Sequence, residues 1–510
     1  MDQKSADKIK NLCDLGQILS DLKTTNKKIV YCHGVFDLVH LGHIRHFNIA
    51  KKEGDILVVT LTRDKYVKRG PGRPIFNENL RAEMLASISI IDYVAIIDFP
   101  TAVEAIKILK PDFYVKGCDY IDKSKDVTGM INDEEEAVNS IGGKLIFTDD
   151  ITFSSSSLIN NFLDVYPPEI IDYLKSIREK YTIDDISDKL KSLKKIKVIV
   201  IGDSIIDQYH YCTPMGKSSK EHLVANLYDS EETFAGGSLA TANHITNICE
   251  KVDLLTVLGS KNSYKDFISE KLNTNVTPIY FVWPDAETVV KRRFVSKVVN
   301  TKLFEICYLK REDIPKSVEE KILDRLDKTI KDYDLVVVND FGHGLLTKNI
   351  VKLICEKANY LALNVQTNSA NIGFNMVTKY PRANFVCIDD LELRLATHDR
   401  VSDLKILEKQ MLELLNCEHI IATRGSSGSL GYSEKEGFDE CPAFSYKIVD
   451  AIGAGDAFFS YVSPCIAGGF NLDLASFIGN TVVSLATQII CNREPVRYTD
   501  LMKFITRLLK

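Results

Sequence analysis

Two short stretches carry the residue types best suited to handling phosphate. The first is Gly34-Val35-Phe36-Asp37-Leu38-Val39-His40-Leu41-Gly42-His43. It follows an apolar run of strand type, 28–32, and precedes Ile44, Phe47, Ile49 and Ala50, whose spacing suits a helix. A strand-to-helix turn aims backbone N–H groups and the positive end of a helix dipole at its ligand, which favours phosphate. His40 and His43 fall within one helical turn and can face the same anion, while Gly34 and Gly42 let backbone approach closely. The second stretch is 447–458, centred on Gly453-Ala454-Gly455-Asp456. Glycines at a helix start expose N–H groups to a phosphoryl group in transfer. An aspartate among them can take the proton of an attacking hydroxyl.

The elements around these stretches alternate. In the first half the pattern predicts helix 7–27, strands 28–32 and 55–61, helix 78–89, strand 92–97, helix 101–109, strand 112–115, helix 132–141 and strand 144–148. Such alternation implies a parallel sheet with helices on both faces and ligands beyond the carboxyl ends of the strands. Pro167-Pro168 marks a boundary, and the charged amphipathic stretch 169–195 reads as one or two connecting helices. Strand 198–202 then restarts a fold, with Asp203 and Asp207 at its end placed to hold a polyhydroxylated ligand. Segments 223–234 and 278–299 are rich in Val, Thr, Tyr and Phe and suit a small β-lid. Alternation resumes with strands 334–338, 359–364, 384–388 and 418–423. The expectation is an α/β protein with two doubly wound parallel-sheet domains, 1–165 and 196–510, joined by a helical connector, 166–195.

At 510 residues the chain is too long for one ordinary core. Its 45% hydrophobic and 26% charged residues are those of a globular protein, and a net charge of −6 argues against nucleic acid as a partner. The twelve cysteines form no Cys-x-x-Cys, which indicates neither a zinc ribbon nor a disulfide framework. The first residues lack the apolar core of a signal peptide, and no apolar run approaches the ~20 residues that span a bilayer. The expectation is a cytoplasmic enzyme with no membrane partner.

The first stretch resembles the His-x-Gly-His signature of the nucleotidyltransferase superfamily, in its cytidylyltransferase-like branch. The resemblance implies that His40 and His43 stabilise the α-phosphate of a nucleoside triphosphate, with Gly34 and Phe36 lining the same site. Three further segments are similar to parts of that superfamily: the cationic loop 62–70, with Arg63, Lys65 and Lys68; the segment Lys116-Gly117-Cys118-Asp119-Tyr120; and the serine run containing Ser154, Ser155 and Ser156, which suits a helix cap and anion pocket. Arg81 matches an arginine of the same pattern. The order and spacing resemble the adenylyltransferase half of the bifunctional ADP-heptose synthases, with Cys118 where a second glycine is expected. A structural role for any one of these residues is the competing reading, as is zinc at His40, His43 and His46. No supporting cysteine or acidic fourth ligand accompanies those three histidines.

The second stretch resembles the Gly-Ala-Gly-Asp signature of the ribokinase-like (PfkB) sugar kinases. By that resemblance Asp456 is the catalytic base, and Gly453, Ala454 and Gly455 form the anion hole. Asp203, Asp207, Gly236, Gly237 and Asn243 would bind the sugar, with Asp340 beside the phosphates. Thr423 and Gly425 would border the nucleotide, and Glu392 would organise Mg²⁺ through water. Asp389 stands where that family has Asn, and Asn364-Val365-Gln366 replaces an Asp-Pro-type segment. Gly216-Lys217-Ser218 has the end of a phosphate-binding loop but Tyr211 where its first glycine belongs. That motif is absent.

Together the resemblances imply a bifunctional transferase using ATP or CTP and Mg²⁺ on sugar phosphates, with the two halves in the reverse of the heptose enzymes' order. They also imply a homodimer paired through the lid. A cytidylyltransferase for a polyol phosphate, a non-catalytic sugar-sensing second half, and a scaffold remain as alternatives.

Overall fold

In a computed structural model the chain is described over residues 3–68, 70–117, 130–148, 166–298, 300–445 and 447–510. It divides into two compact units: residues 1–174 together with 502–510, and residues 175–501.

The first unit is built on five parallel strands, β1 (Ile29–Gly34), β2 (Ile56–Thr62), β3 (Tyr93–Ile97), β4 (Phe113–Gly117) and β5 (Lys144–Thr148), in the order β3-β2-β1-β4-β5. The reversal of strand order beside β1 is the switch point at which such sheets bind ligands. β1 is buried on both faces, as a central parallel strand must be. Tyr31 and Ile29 enter one core with Leu15 and Ile106, while Val30 and Cys32 enter the other with Phe47 and Leu85. The first long helix runs Leu12–Thr24, starting later than the predicted 7–27 because the Asn11 side chain caps it by accepting from the Cys13 N–H.

The second unit holds a nine-stranded sheet and a separate four-stranded one. Its strands are β6 (Val198–Gly202), β7 (Ser204–Lys217), β8 (Val224–Gly237), β9 (Val252–Lys261), β10 (Val276–Glu287), β11 (Val289–Ser296), β12 (Thr301–Tyr308), β13 (Leu335–Asp340), β14 (Leu361–Val365), β15 (Phe385–Asp389), β16 (His419–Thr423), β17 (Ser429–Ser433) and β18 (Gly437–Cys441). The large sheet runs β10-β9-β6-β13-β14-β15-β16-β17-β18, parallel through β16 and antiparallel at its last two strands. The small sheet, β12-β11-β7-β8, forms the lid.

The expected lid segment 278–299 splits. Its first part, in β10, pairs in parallel with β9 at the edge of the large sheet, and only β11 joins the lid. The other lid strands are the long hairpin β7–β8 and the wholly exposed β12. The charged stretch after Pro167 forms helices Pro168–Lys180 and Ile183–Ser192, the second opened by a Thr182–Asp185 capping box. No helix among the described residues is long and apolar enough to cross a membrane.

Candidate active sites

In the first unit β1 ends at Gly34, and the chain turns through Phe36, whose φ of 52° is left-handed, into the helix Leu41–Lys51. A Cβ on Gly34 would lie 2.9 Å from the Phe36 ring, so glycine is what lets that ring fold back over the strand end. Phe36 packs on His43 and Phe47, with centroids 5.2 and 5.4 Å apart. His40 caps the helix. Its Nδ1 accepts the Gly42 N–H at 3.1 Å, and His43 Nδ1 sits 3.4 Å from the His40 N–H. The two rings stack with centroids 4.0 Å apart. Since each Nδ1 accepts, the proton of each neutral ring belongs on Nε2, where it can serve an anion. Partial burial holds the His40 pKa below its ordinary value.

The other clustered histidines are part of the wall. His33 lies between Thr60 (2.8 Å) and Thr62 (3.2 Å), and His46 bonds Thr148 at 2.9 Å. Burial, helped by the charge of Lys116, lowers their pKa values to about 3 and about 4, which keeps both neutral. Lys116 closes β4. Its ammonium is 2.8 Å from the buried Glu134 carboxylate, which also accepts from Tyr114 OH at 3.1 Å. Asp37, inside the motif, is buried and accepts from Arg73 at 2.9 Å and from the Ile75 N–H at 2.6 Å, fastening the following loop to the turn.

The cationic loop reaches outward. Arg63 pairs with Asp98 (2.9 Å) and Glu78 (3.3 Å), Lys65 pairs with Asp98 at 2.5 Å, and Lys68 is half-buried farther along. Arg81 departs from its expected place among ligand-binding groups. It is fully buried, and its guanidinium donates to Phe76 O, Val35 O, Thr62 O and the Asp64 carboxylate. It braces the strand ends and has no open side to offer a ligand. Ser154, Ser155, Ser156 and Cys118 lie outside the described residues.

In the second unit Gly453 caps the helix Ala454–Ala467 with φ 84°, and a Cβ there would lie 2.2 Å from the Asn492 side-chain oxygen. Asp456 follows in the first turn, 7% exposed. Burial, reinforced by the charge of Asp207, raises its pKa to about 7 against the pull of a 2.8 Å hydrogen bond from Gln366 and the charge of Lys291. Gln366 also donates to Asn364 Oδ1 at 2.9 Å, which fixes its amide. Gln366, noticed in the sequence only as a departure, therefore orients the candidate base.

Asp456 lines a cavity of about 540 Å³ shared with Gly453, Ala454, Gly455, Thr423, Gly425 and Glu392. Glu392 accepts from the N–H groups of Thr367 (2.8 Å) and Asp389 (3.1 Å), and burial raises its pKa to about 7. Asp389 returns the bond by accepting from Leu391 and Glu392 N–H groups. An aspartate where asparagine was expected thus makes a capping box that sets the Glu392 carboxylate. The acidic groups on this wall are all hard oxygen donors, the kind that suit Mg²⁺.

Asp203 and Asp207 lie at the mouth of the lid. Asp203 accepts from the Phe341 and His343 N–H groups, and burial together with Asp340 raises its pKa to about 7. Asp207 is held by Arg293 at 2.5 Å, and Arg293 also pairs with Glu305 of the lid at 2.7 Å. A Cβ on Gly236 would lie 2.0 Å from Asp207 Oδ2, and Gly237 adopts φ 58° as it opens the next helix. Two expected ligand residues sit elsewhere. Asn243 spends its amide on Lys271 O and the Asn273 N–H, tying two loops together. Asp340 is fully buried and bonded by Tyr380 OH (2.7 Å), Gly342 N–H (3.0 Å) and Lys379, so it acts beneath Asp203.

A parallel α/β sheet, a β-lid, a glycine-led helix start and a buried carboxylate beside it place the second unit among the sugar kinases of ribokinase-like fold. The chain belongs to the pfkB family of carbohydrate kinases, which it matches over residues 195–490. Its first unit carries a cytidylyltransferase-like domain, matched over residues 31–162. Over 122 residues the chain is 47% identical to the bifunctional protein HldE of Campylobacter jejuni, covering 24% of this chain and 26% of that protein. Over 167 residues it is 38% identical to the bifunctional protein HldE of Geobacter metallireducens, covering 32% of each. The matches thus span between a quarter and a third of these relatives' length. Phosphofructokinase-2 from Escherichia coli, in complex with substrates and products, shares the fold. Its TM-score is 0.51 at 10% identity over 62% of this chain and 100% of that one.

Proposed function

We propose that the protein is a bifunctional sugar-activating enzyme of ADP-heptose type: a kinase for the anomeric hydroxyl of heptose 7-phosphate, and an adenylyltransferase acting on heptose 1-phosphate. The observation that carries the kinase reading is Asp456, buried at a glycine-led helix start with a pKa near 7 and facing the large cavity. In this reading Asp456 takes the proton of the sugar hydroxyl as its oxygen attacks the γ-phosphorus of ATP, and ADP leaves. The amides at Gly453–Gly455 meet the charge on the transferred group, and Asp203 and Asp207 orient the sugar. Glu392 would hold Mg²⁺ through water, and the ion would supply charge neutralisation.

The transferase needs no covalent nucleophile. A sugar 1-phosphate oxygen attacks the α-phosphorus of the nucleotide and pyrophosphate leaves, while His40, His43 and Lys116 balance the charge that develops. Nucleoside triphosphates and sugar phosphates make this a cytoplasmic pathway. The exposed apolar side chains Leu303, Phe304 and Ile306 of β12 support a homodimer paired through the lid, which light scattering of the purified protein would test.

The decisive experiment incubates the protein with ATP or CTP and a panel of sugar phosphates and identifies the products by mass. A sugar bisphosphate plus ADP, and an ADP-sugar plus pyrophosphate, are expected. A CDP-polyol as the sole nucleotide product points instead to a cytidylyltransferase. No sugar-dependent ADP with any substrate points to a sugar-sensing second half.

A further inference from the structure

We propose that Lys302, on lid strand β12, is a positioning residue for the anion-hole loop. Its ammonium holds the buried Asp450 carboxylate, so that seating of the lid and assembly of the loop 450–456 are one event. The inference rests on the kinase reading for its catalytic consequence and on geometry alone for its structural one.

Asp450 is 4% exposed and stands three residues before Gly453. Its carboxylate accepts from Lys302 Nζ at 2.6 Å, Tyr209 OH at 2.7 Å, and the N–H groups of Ile452 and Cys491, each at 3.1 Å. Two of these donors come from the lid, Lys302 on β12 and Tyr209 on β7. The other two are the backbone of the loop itself and of the segment that places Asn492 against Gly453. The carboxylate therefore joins the lid to both pieces of backbone that shape the helix start carrying Asp456.

The Lys302 ammonium also lies 5.5 Å from the Tyr209 ring centre. It is the cation paired with Asp450, and a buried carboxylate stripped of such a partner is strongly disfavoured. A second ion pair, Arg493 with Glu232 of β8, ties the lid to the segment just after Asn492. That pair is about half exposed and contributes less. With the lid displaced, Asp450 loses its charge partner and the Ile452 and Cys491 amides lose a fixed acceptor. The glycine amides then lose their aim.

The test uses the full-length protein with Lys302→Met, which keeps the stem against Tyr209 and removes the charge, together with Asp450→Asn and the double variant. Amide hydrogen exchange of the segment 449–456 should quicken more than about ten-fold in Lys302→Met, since the loop opens locally once its buried pair is broken. Sugar-dependent ADP formation should fall about 10²-fold in kcat through misplacement of the anion hole, and added ethylammonium should restore part of it. The double variant should be no worse than the worse single one, because both act through one contact. Unchanged exchange across 449–456 in Lys302→Met, or losses that simply add in the double variant, would overturn the proposal. If the unsubstituted protein makes no ADP with any sugar, the kinase reading fails, and exchange still decides whether the clasp exists.

Discussion

On the proposed function the two sites solve the same problem, holding a nucleotide's phosphates at a strand-to-helix turn, with opposite chemistry. The first groups His40, His43 and Lys116, and the buried carboxylates beside them are already spent, Glu134 on Lys116 and Asp37 on Arg73. In the second, Glu392 and Asp456 line one cavity and Asp203 lies toward the lid, and each of these carboxylates has its pKa pushed to about 7. On the same proposal the difference follows the nucleophile. A sugar 1-phosphate arrives already anionic, so its site needs donors and no base. A sugar hydroxyl arrives neutral, so its site needs a carboxylate kept reluctant to ionise, at the cost of stability.

Single substitutions offer the sharpest break. Asp456→Asn is expected to cut phosphorylation by about 10²–10⁴ and leave nucleotidyl transfer intact. His43→Ala is expected to cut nucleotidyl transfer by about 10²–10³ and spare phosphorylation. Product assays on the folded variants check both, and a variant that stops both reactions removes the two-site picture.

A pH series comes next. With Asp456 titrating at about 7 and active when ionised, kcat/KM of the kinase should fall about ten-fold per pH unit below 7 and level off above it. Transfer should stay flat between about pH 7 and 8, since His40, held below the usual imidazole pKa by burial, is neutral throughout that interval.

Stability separates the pockets more gently. The folded pKa of Asp456 stands above its ordinary 3.8. The folded state therefore keeps a proton that the unfolded chain releases, and this group's favourable contribution is full below 3.8 and lost as pH rises through about 7. Asp456→Asn should then raise the melting temperature by a few degrees at pH 8 and change it little at pH 4, by calorimetry. The smallest effect belongs to the outer loop of the first pocket. Arg63→Ala, removing a partly exposed cation that already pairs with Asp98 and Glu78, should raise KM for the triphosphate a few-fold at low salt, and the change should fade as salt screens it.

The large parallel sheets were legible because strands covered on both faces read as short apolar runs. β1, β2, β6 and β13 each lie within a residue or two of the expected runs. The lid was less legible. β12 is exposed along its whole length and has no burial pattern to read, and β7 passes through Pro214 and Gly216, where its pairing with β8 shifts register. Partners farther along the chain were not legible either. Gln366 and Asp456 are 90 positions apart, and Lys302 and Asp450 are 148 apart. Periodicity carries no information over such distances. Arg81 shows the opposite failure, since a conspicuous arginine beside a phosphate motif is fully engaged by backbone carbonyls and Asp64.

The first compact unit also owns residues 502–510. Arg507 donates to Pro71 O at 2.9 Å and to Tyr166 OH at 3.0 Å, and the Phe504 ring fills the space a side chain at Gly70 would need. A protease or an engineer who severs the polypeptide at residue 174 would therefore release a fragment stripped of the cover over its own basic loop. Supplying the tail as a separate peptide should mend it, and a circular permutation that moves those nine residues ahead of Gln3 would be the cleaner way to obtain the small half by itself.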